Sequence, residues 1–330
     1  MTPGIYLAHK AIGETSFSLV QALMEEVRRA GIRRDKLPVC HGGVLDPFAE
    51  GLVLLLAGQA TRLMDLLHPI PKTYFAEIGW GTETDSGDLL GQMTKTSKSP
   101  SLPERAGAGA LTEAQLEAAL PQFLGWQEQV PPATSNKRIG GERAYLKAHR
   151  GEAVVLPPSR VYLHTARWVS HDLPRSSTVE LVTRGGYYVR AFTRDLGRLV
   201  GAFGHLTKLR RTAIGPWRDP GRTAATERSR EVPPPERSSE VPPPVRGEAL
   251  RGEQLYPWCA SVEVTAKELA LLRADQGLAP RPVRPPSFSL PEGFPDPQAP
   301  IRALLDGGIV AMLRERDGKL FGTPVLRGSL

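Results

Sequence analysis
Leu19, Val20, Leu23, Met24 and Val27 recur with the spacing of one helix face; Thr15 or Ser16 can cap the helix they predict, and Gly31 can end it. From Leu52 to Ala57 the chain is apolar without interruption, which suits a buried strand and is far too short to span a bilayer. A short helix through Leu67 follows Gly58. Residues 72–80 alternate instead, with Tyr74, Ala76, Ile78 and Trp80 on one face of a predicted strand. Thr112 and Gln115 make a capping box for a helix to about Phe123. Residues 179–190 read as two short strands around Arg184-Gly185-Gly186, and helical periodicity returns from Ala191 to Val200. Near the end, Thr265 and Glu268 predict a capped helix to about Ala274, and Asp317-Gly318 a hairpin turn between residues 309–314 and 319–326.

These elements predict a mixed α/β (α+β) domain over residues 1–218. Residues 219–252 carry EVPPPERSS followed at once by EVPPPVR, a proline-, serine- and charge-rich spacer that cannot bury enough apolar surface to fold. Residues 253–330 then read as a small β-rich module. At 330 residues, with 40% hydrophobic and 23% charged positions, the composition excludes a wholly disordered chain and a membrane protein. Cys40 and Cys259 belong to no C-x-x-C pair, so neither a thiolate zinc site nor a disulfide framework is expected, and a cytoplasmic setting is the default. No secretory signal is readable in the first residues. The formal net charge of +7 is concentrated: residues 184–211 hold seven basic side chains against Asp195, and residues 137–150 hold five against Glu142. Such stripes suit a partner that presents phosphates.

Chemistry is most readable at His41-Gly42-Gly43-Val44-Leu45-Asp46-Pro47-Phe48-Ala49-Glu50-Gly51. Glycines on one side and the buried strand on the other place Asp46 on a tight loop against the core, where a carboxylate can serve as a nucleophile. The turn Thr84-Asp85-Ser86-Gly87-Asp88 lacks a glutamate at the twelfth position of a calcium loop and reads as a hydrogen-bonded turn. Taken as a strand, residues 187–190 put Tyr188 on the face of Arg190.

The HGGVLDPFAEG string resembles the catalytic loop of the TruB-type pseudouridine synthases. Further elements follow in the family's order: the opening Lys10-Ala11-Ile12-Gly13-Glu14-Thr15-Ser16, Lys72-Thr73-Tyr74, the 84–88 turn, Ser135-Asn136-Lys137 leading to Arg143, Gly186 to Arg190, and Leu209-Arg210-Arg211. The resemblance implies a central, largely antiparallel sheet with a cleft and a small C-terminal RNA-binding (PUA-like) module. It also implies isomerisation of uridine-55 in the T loop of tRNA through Asp46, with Arg190 pairing the nucleophile and Tyr74 stacking on the flipped base. Leu209 would pack on the base's other side, and His41 would meet the rearranged T loop. Tyr188, Lys137, Arg143 and Arg210 would add RNA contacts. No metal or organic cofactor, no guide RNA and a monomer are expected. The chain departs from the family at Cys40, Gly42, Glu50, Ala11 and Gly185, none of which removes a catalytic group. The rival readings are an enzyme acting on another RNA and a tRNA-folding chaperone with little turnover. Because every proposed catalytic residue precedes Pro216, truncation after it is expected to weaken tRNA binding and spare chemistry.

Overall fold
The computed structural model describes residues 2–33, 36–96, 110–150, 152, 154–221 and 247–330. The proline-rich repeat therefore lies outside the described residues. In chain order the elements are β1 (Gly4–Lys10), α1 (Ser16–Arg29), β2 (Val39–His41), β3 (Glu50–Ala57), a 3₁₀ helix Gly58–Leu67, β4 (Lys72–Trp80), β5 (Thr82–Thr84) and β6 (Met93–Thr96). Then come α2 (Glu113–Ala119), β7 (Gly125–Gln129), β8 (Arg138–Ile139), β9 (Glu142–Arg143), α3 (Ala144–His149), β10 (Ser159–Asp172), β11 (Ser176–Thr183), α4 (Val189–Leu199) and β12 (Gly204–Ile214). The remainder is β13 (Trp217–Arg218), β14 (Ser261–Glu263), α5 (Ala266–Arg273), β15 (Ile301–Leu305), β16 (Gly308–Arg316) and β17 (Lys319–Val325). Two compact units result, one of Met1–Pro47, Gly51–Ile70 and Ala213–Leu330, the other of Phe48–Glu50 and Pro71–Thr212.

In the first unit β3 pairs antiparallel with both β1 and β2. α1 forms because Thr15 and Ser18 cap each other reciprocally, while Leu19, Val20, Leu23 and Val27 are buried. A four-stranded sheet ordered β14-β15-β16-β17 follows, its hairpin turning at Asp317 and Gly318, both with positive φ. Ile5, Leu52, Leu54, Leu56, Leu63, Leu67 and Ile70 share one core with Trp217, Leu255, Tyr256, Trp258, Leu304, Ile309, Met312 and Leu330. Backbone hydrogen bonds between Ile5 and Leu250 fasten the same join. Cutting the chain after Pro216 would uncover this core at roughly 25 cal/mol per Å² of apolar surface. The expectation that such a truncation merely weakens RNA binding is revised accordingly: the fragment should lose its cooperative thermal transition, which calorimetry would show.

In the second unit β12, β4, β11, β10 and β7 lie side by side, and the β4–β11, β11–β10 and β10–β7 pairs are antiparallel. Burial along β4 follows the alternation, with Tyr74, Ala76 and Ile78 inward. β10 runs 14 residues, and register shifts at Leu163/Thr165 and Trp168/Ser170 interrupt the period-two signal that would have announced it.

The strand expected through Arg190 is not formed. Tyr188 is the N-cap residue of α4 and Arg190 lies in the first helical turn, so alternation does not decide which of Tyr187 and Tyr188 accompanies it. The Tyr188 side chain gives the helix no cap. Gln129 holds that residue instead: its amide oxygen accepts from the Tyr188 N–H at 2.9 Å and its amide nitrogen donates to the Tyr188 carbonyl at 3.1 Å. Tyr187 is buried, and its hydroxyl has no hydrogen-bond partner among the described residues; burial pushes the phenol well up from its usual range, with Asp195 adding to the shift.

Candidate active-site residues
Asp46 is half-buried on the loop between β2 and β3, and its backbone neighbours are gripped by the element running from Lys10 to Ser16. Leu45 N–H donates to Ser16 Oγ at 2.9 Å, and Gly13 N–H donates to the Pro47 carbonyl at 2.8 Å. The Lys10 ammonium, fully buried, donates to the carbonyls of Ala11 and Glu14 at 2.9 Å each and reaches Pro47 O at 3.4 Å. A buried ammonium needs such acceptors, so burying Lys10 fixes the loop on the far side of Asp46. Gly42 is likewise explained. A β-carbon there would meet Leu67 Cδ1 at 2.6 Å and Leu56 Cδ1 at 3.3 Å inside the core, so packing favours glycine at this position. His41 ends β2, half-buried, five residues before Asp46.

In the second unit the Arg190 guanidinium is almost wholly buried. Its Nη1 donates to Ser86 O at 2.9 Å and Thr134 Oγ1 at 2.6 Å, and lies 3.5 Å from Asp88 Oδ2. The 84–88 turn is hydrogen-bonded, as read: Thr84 Oγ1 donates to Asp88 O at 2.7 Å, and Asp88 Oδ1 accepts from Ser86 Oγ at 2.7 Å and Leu90 N–H at 3.0 Å. A β-carbon on Gly87 would lie 3.2 Å from both the Arg190 Cβ and its carbonyl, and at φ +75° the backbone itself favours glycine. Asp88 and Thr134 are the functional candidates the sequence reading did not single out. The turn could be recognised locally, but its arginine partner lies about a hundred residues away.

Tyr74 and Leu209 are buried on the adjacent strands β4 and β12. Arg210 is half-buried between the buried Leu209 and Arg211, so strand alternation turns it to the opposite face from Leu209. Lys137 donates to Ser159 Oγ, and Arg143 reaches Asn136 Oδ1 at 3.4 Å. Arg198 is not a general surface charge. It forks onto the buried Glu83 at 2.6 and 2.7 Å, and although burial works to raise that carboxyl, the fork outweighs it and holds Glu83 below its usual range.

Lys72, two residues before Tyr74 on the same face, is lowered to about 7 by burial first and by Arg211 and Arg184 second. Between that value and the 10.5 of an ordinary lysine, the unfolded chain binds more protons at this position than the folded one. Its destabilising effect is therefore full at and below about pH 7 and fades as pH rises towards 10.5. Lys72→Met should raise the urea midpoint most near pH 6–7 and lose that advantage towards pH 10; an equal gain at both ends would count against the buried charge. Among the described residues no cluster of three or more His, Cys, Asp or Glu is arranged to hold a metal ion, and no helix is long and apolar enough to cross a membrane.

The mixed α/β scaffold with its antiparallel strands is a known one. A chain of a solved Cbf5–Nop10–Gar1 complex superposes with a TM-score of 0.60 over 98% of this chain and 84% of that one, at 18% identity, which establishes shared fold alone. The family model described as TruB family pseudouridylate synthase (N terminal domain) matches residues 31–189. The tRNA pseudouridine synthase B of Parasynechococcus marenigrum is 37% identical over 234 residues, covering 70% of this chain and 74% of that protein. That of Rhodopseudomonas palustris is 38% identical over 216 residues, covering 65% and 54%. The chain belongs to the TruB family of pseudouridylate synthases. It spans about half the length of several of the curated relatives it matches.

Proposed function
We propose that the chain isomerises uridine-55 in the T loop of tRNA to pseudouridine, without a guide RNA or cofactor, as a cytoplasmic monomer. The observation that carries this is the fixed Asp46 loop, which lies within the family-matching residues 31–189: Ser16 binds the backbone before the carboxylate and Gly13 and Lys10 bind it after. The reaction breaks the N-glycosidic bond, turns the uracil and joins C5 to the ribose without losing the base. A carboxylate that adds covalently to base or sugar provides that route. The reading gives Asp46 this step, Tyr74 and Leu209 the two faces of the extruded base, Arg190 the charge that keeps the nucleophile ionised, and His41 a contact with the opened loop. Residues 1–218 would carry the chemistry, 219–252 would be a spacer, and 253–330 would act as an accessory PUA-like module. Incubating the purified protein with unmodified tRNA transcripts and mapping pseudouridine tests the whole reading. Modification confined to the T loop supports it, and binding without any modification supports the chaperone instead.

The insertion between β7 and β10 is assigned to the RNA backbone. Arg138 and Arg143 face each other across its two-residue hairpin, a like-charge pair that a phosphate between them would relieve. Arg150 is otherwise engaged with Glu142 and Glu152. Neutralising Lys137, Arg138 and Arg143 together should make the log–log salt slope of tRNA affinity shallower by about 1.4 to 2.7, for two or three lost phosphate contacts. An unaltered slope in a titration from low to high salt would remove the insertion from the backbone.

A further inference from the structure
The sheet of the second unit has a back. Register carries Tyr74 through Leu181 and Lys72 through Thr183 to Leu163 on one side, so Trp126, Arg160 and Tyr162 stand on the other. There the edge strand β7 presents Trp126, 43% exposed, directly opposite Tyr162, with ring centroids 5.2 Å apart. His164, placed at the register shift in β10, stacks on Tyr162 at 6.2 Å and 28°. The Arg160 guanidinium lies 4.5 Å from the Trp126 ring centroid and that of Arg184 lies 5.7 Å from it. The Arg184 Nε–H is buried and meets no acceptor among the described residues. Glu128, opposite Arg160 in the register, is a carboxylate of this patch.

We propose that this face binds a segment of RNA with an unstacked base, the base on the Trp126–Tyr162 rings and neighbouring phosphates on Arg160 and Arg184. Two observations favour that occupant. Aromatic rings interleaved with guanidinium groups offer stacking to any base and paired donors to phosphate oxygens. The patch also lies at the root of the basic insertion, because residues 130–158 leave and re-enter the sheet at the facing pair Gln129 and Ser159, three positions from Trp126 and Tyr162. Together they would extend the RNA footprint from the insertion onto the side of the sheet away from Tyr74. The proposal rests on the chain being an RNA-binding member of its family, and goes beyond that reading in assigning a second surface.

Binding of the full-length protein to an unmodified tRNA transcript, followed by fluorescence anisotropy at fixed salt, tests it. Stacking is worth about 1–3 kcal/mol per base, so Trp126→Ala should weaken affinity by roughly 5- to 150-fold, and Trp126→Phe should recover most of it. Arg160→Ala should also weaken binding several-fold. Arg167→Ala removes the same charge from an exposed position paired with Glu180, farther along β10, and should stay within twofold of wild type. Equal affinity in Trp126→Ala and wild type, or an Arg167→Ala loss matching that of Arg160→Ala, overturns the patch. So does a proline-rich peptide that binds in a Trp126-dependent way while tRNA affinity is unaffected, which would make the rings a protein-docking site. Wild-type protein that fails to bind the transcript overturns both this proposal and the functional reading, whereas wild-type binding with unaltered variants overturns this proposal alone.

Discussion
Asp46→Asn should abolish turnover, by roughly 10⁴-fold or more, while tRNA affinity stays within a few fold. The amide has nearly the shape of the carboxylate but cannot form the covalent bond to base or sugar. The loop should keep its conformation, because the Leu45 N–H and the Pro47 carbonyl on either side of Asp46 are held by Ser16, Gly13 and Lys10. Affinity comes chiefly from phosphate contacts. Single-turnover assays at saturating enzyme would measure the rate and anisotropy the binding, and substantial residual activity would take the nucleophile's role from Asp46.

Arg190→Ala should lower the maximal rate by on the order of 10² to 10³, as removal of a preorganised charged donor does elsewhere. Stability should fall as well, since Asp88 would be left buried without the guanidinium 3.5 Å from it. Asp88→Asn separates the two effects: it removes the carboxylate that orients Arg190 while keeping Arg190 itself, and should show an intermediate rate with less loss of stability. Arg198→Ala is the comparison. It deletes a charge from the same helix but strips a fork from Glu83, so its expected signature is a lowered unfolding midpoint with a nearly normal rate. Equal rate losses in Arg190→Ala and Arg198→Ala would reduce Arg190 to one more contribution to the basic stripe.

What the sequence determined by itself was local. Thr15, Thr112 and Thr265 start helices because each sits three residues before a side chain that bonds back to it, and β4 is legible because residues 72–80 alternate without a bulge. The Asp46 loop was legible for the same reason: its glycines, its carboxylate and the strand after it lie within a dozen residues. What only the tertiary structure decided were partnerships between distant segments. Lys10 closing on Pro47, Gln129 replacing a cap at Tyr188, Arg190 divided between Asp88 and Thr134, and the residues after 252 sharing a core with β1 and β3 have no period or spacing to announce them. Buried donors and charges must find acceptors and apolar faces must find cover, but which ones they find depends on how the strands stack, and that is settled only when the chain has folded.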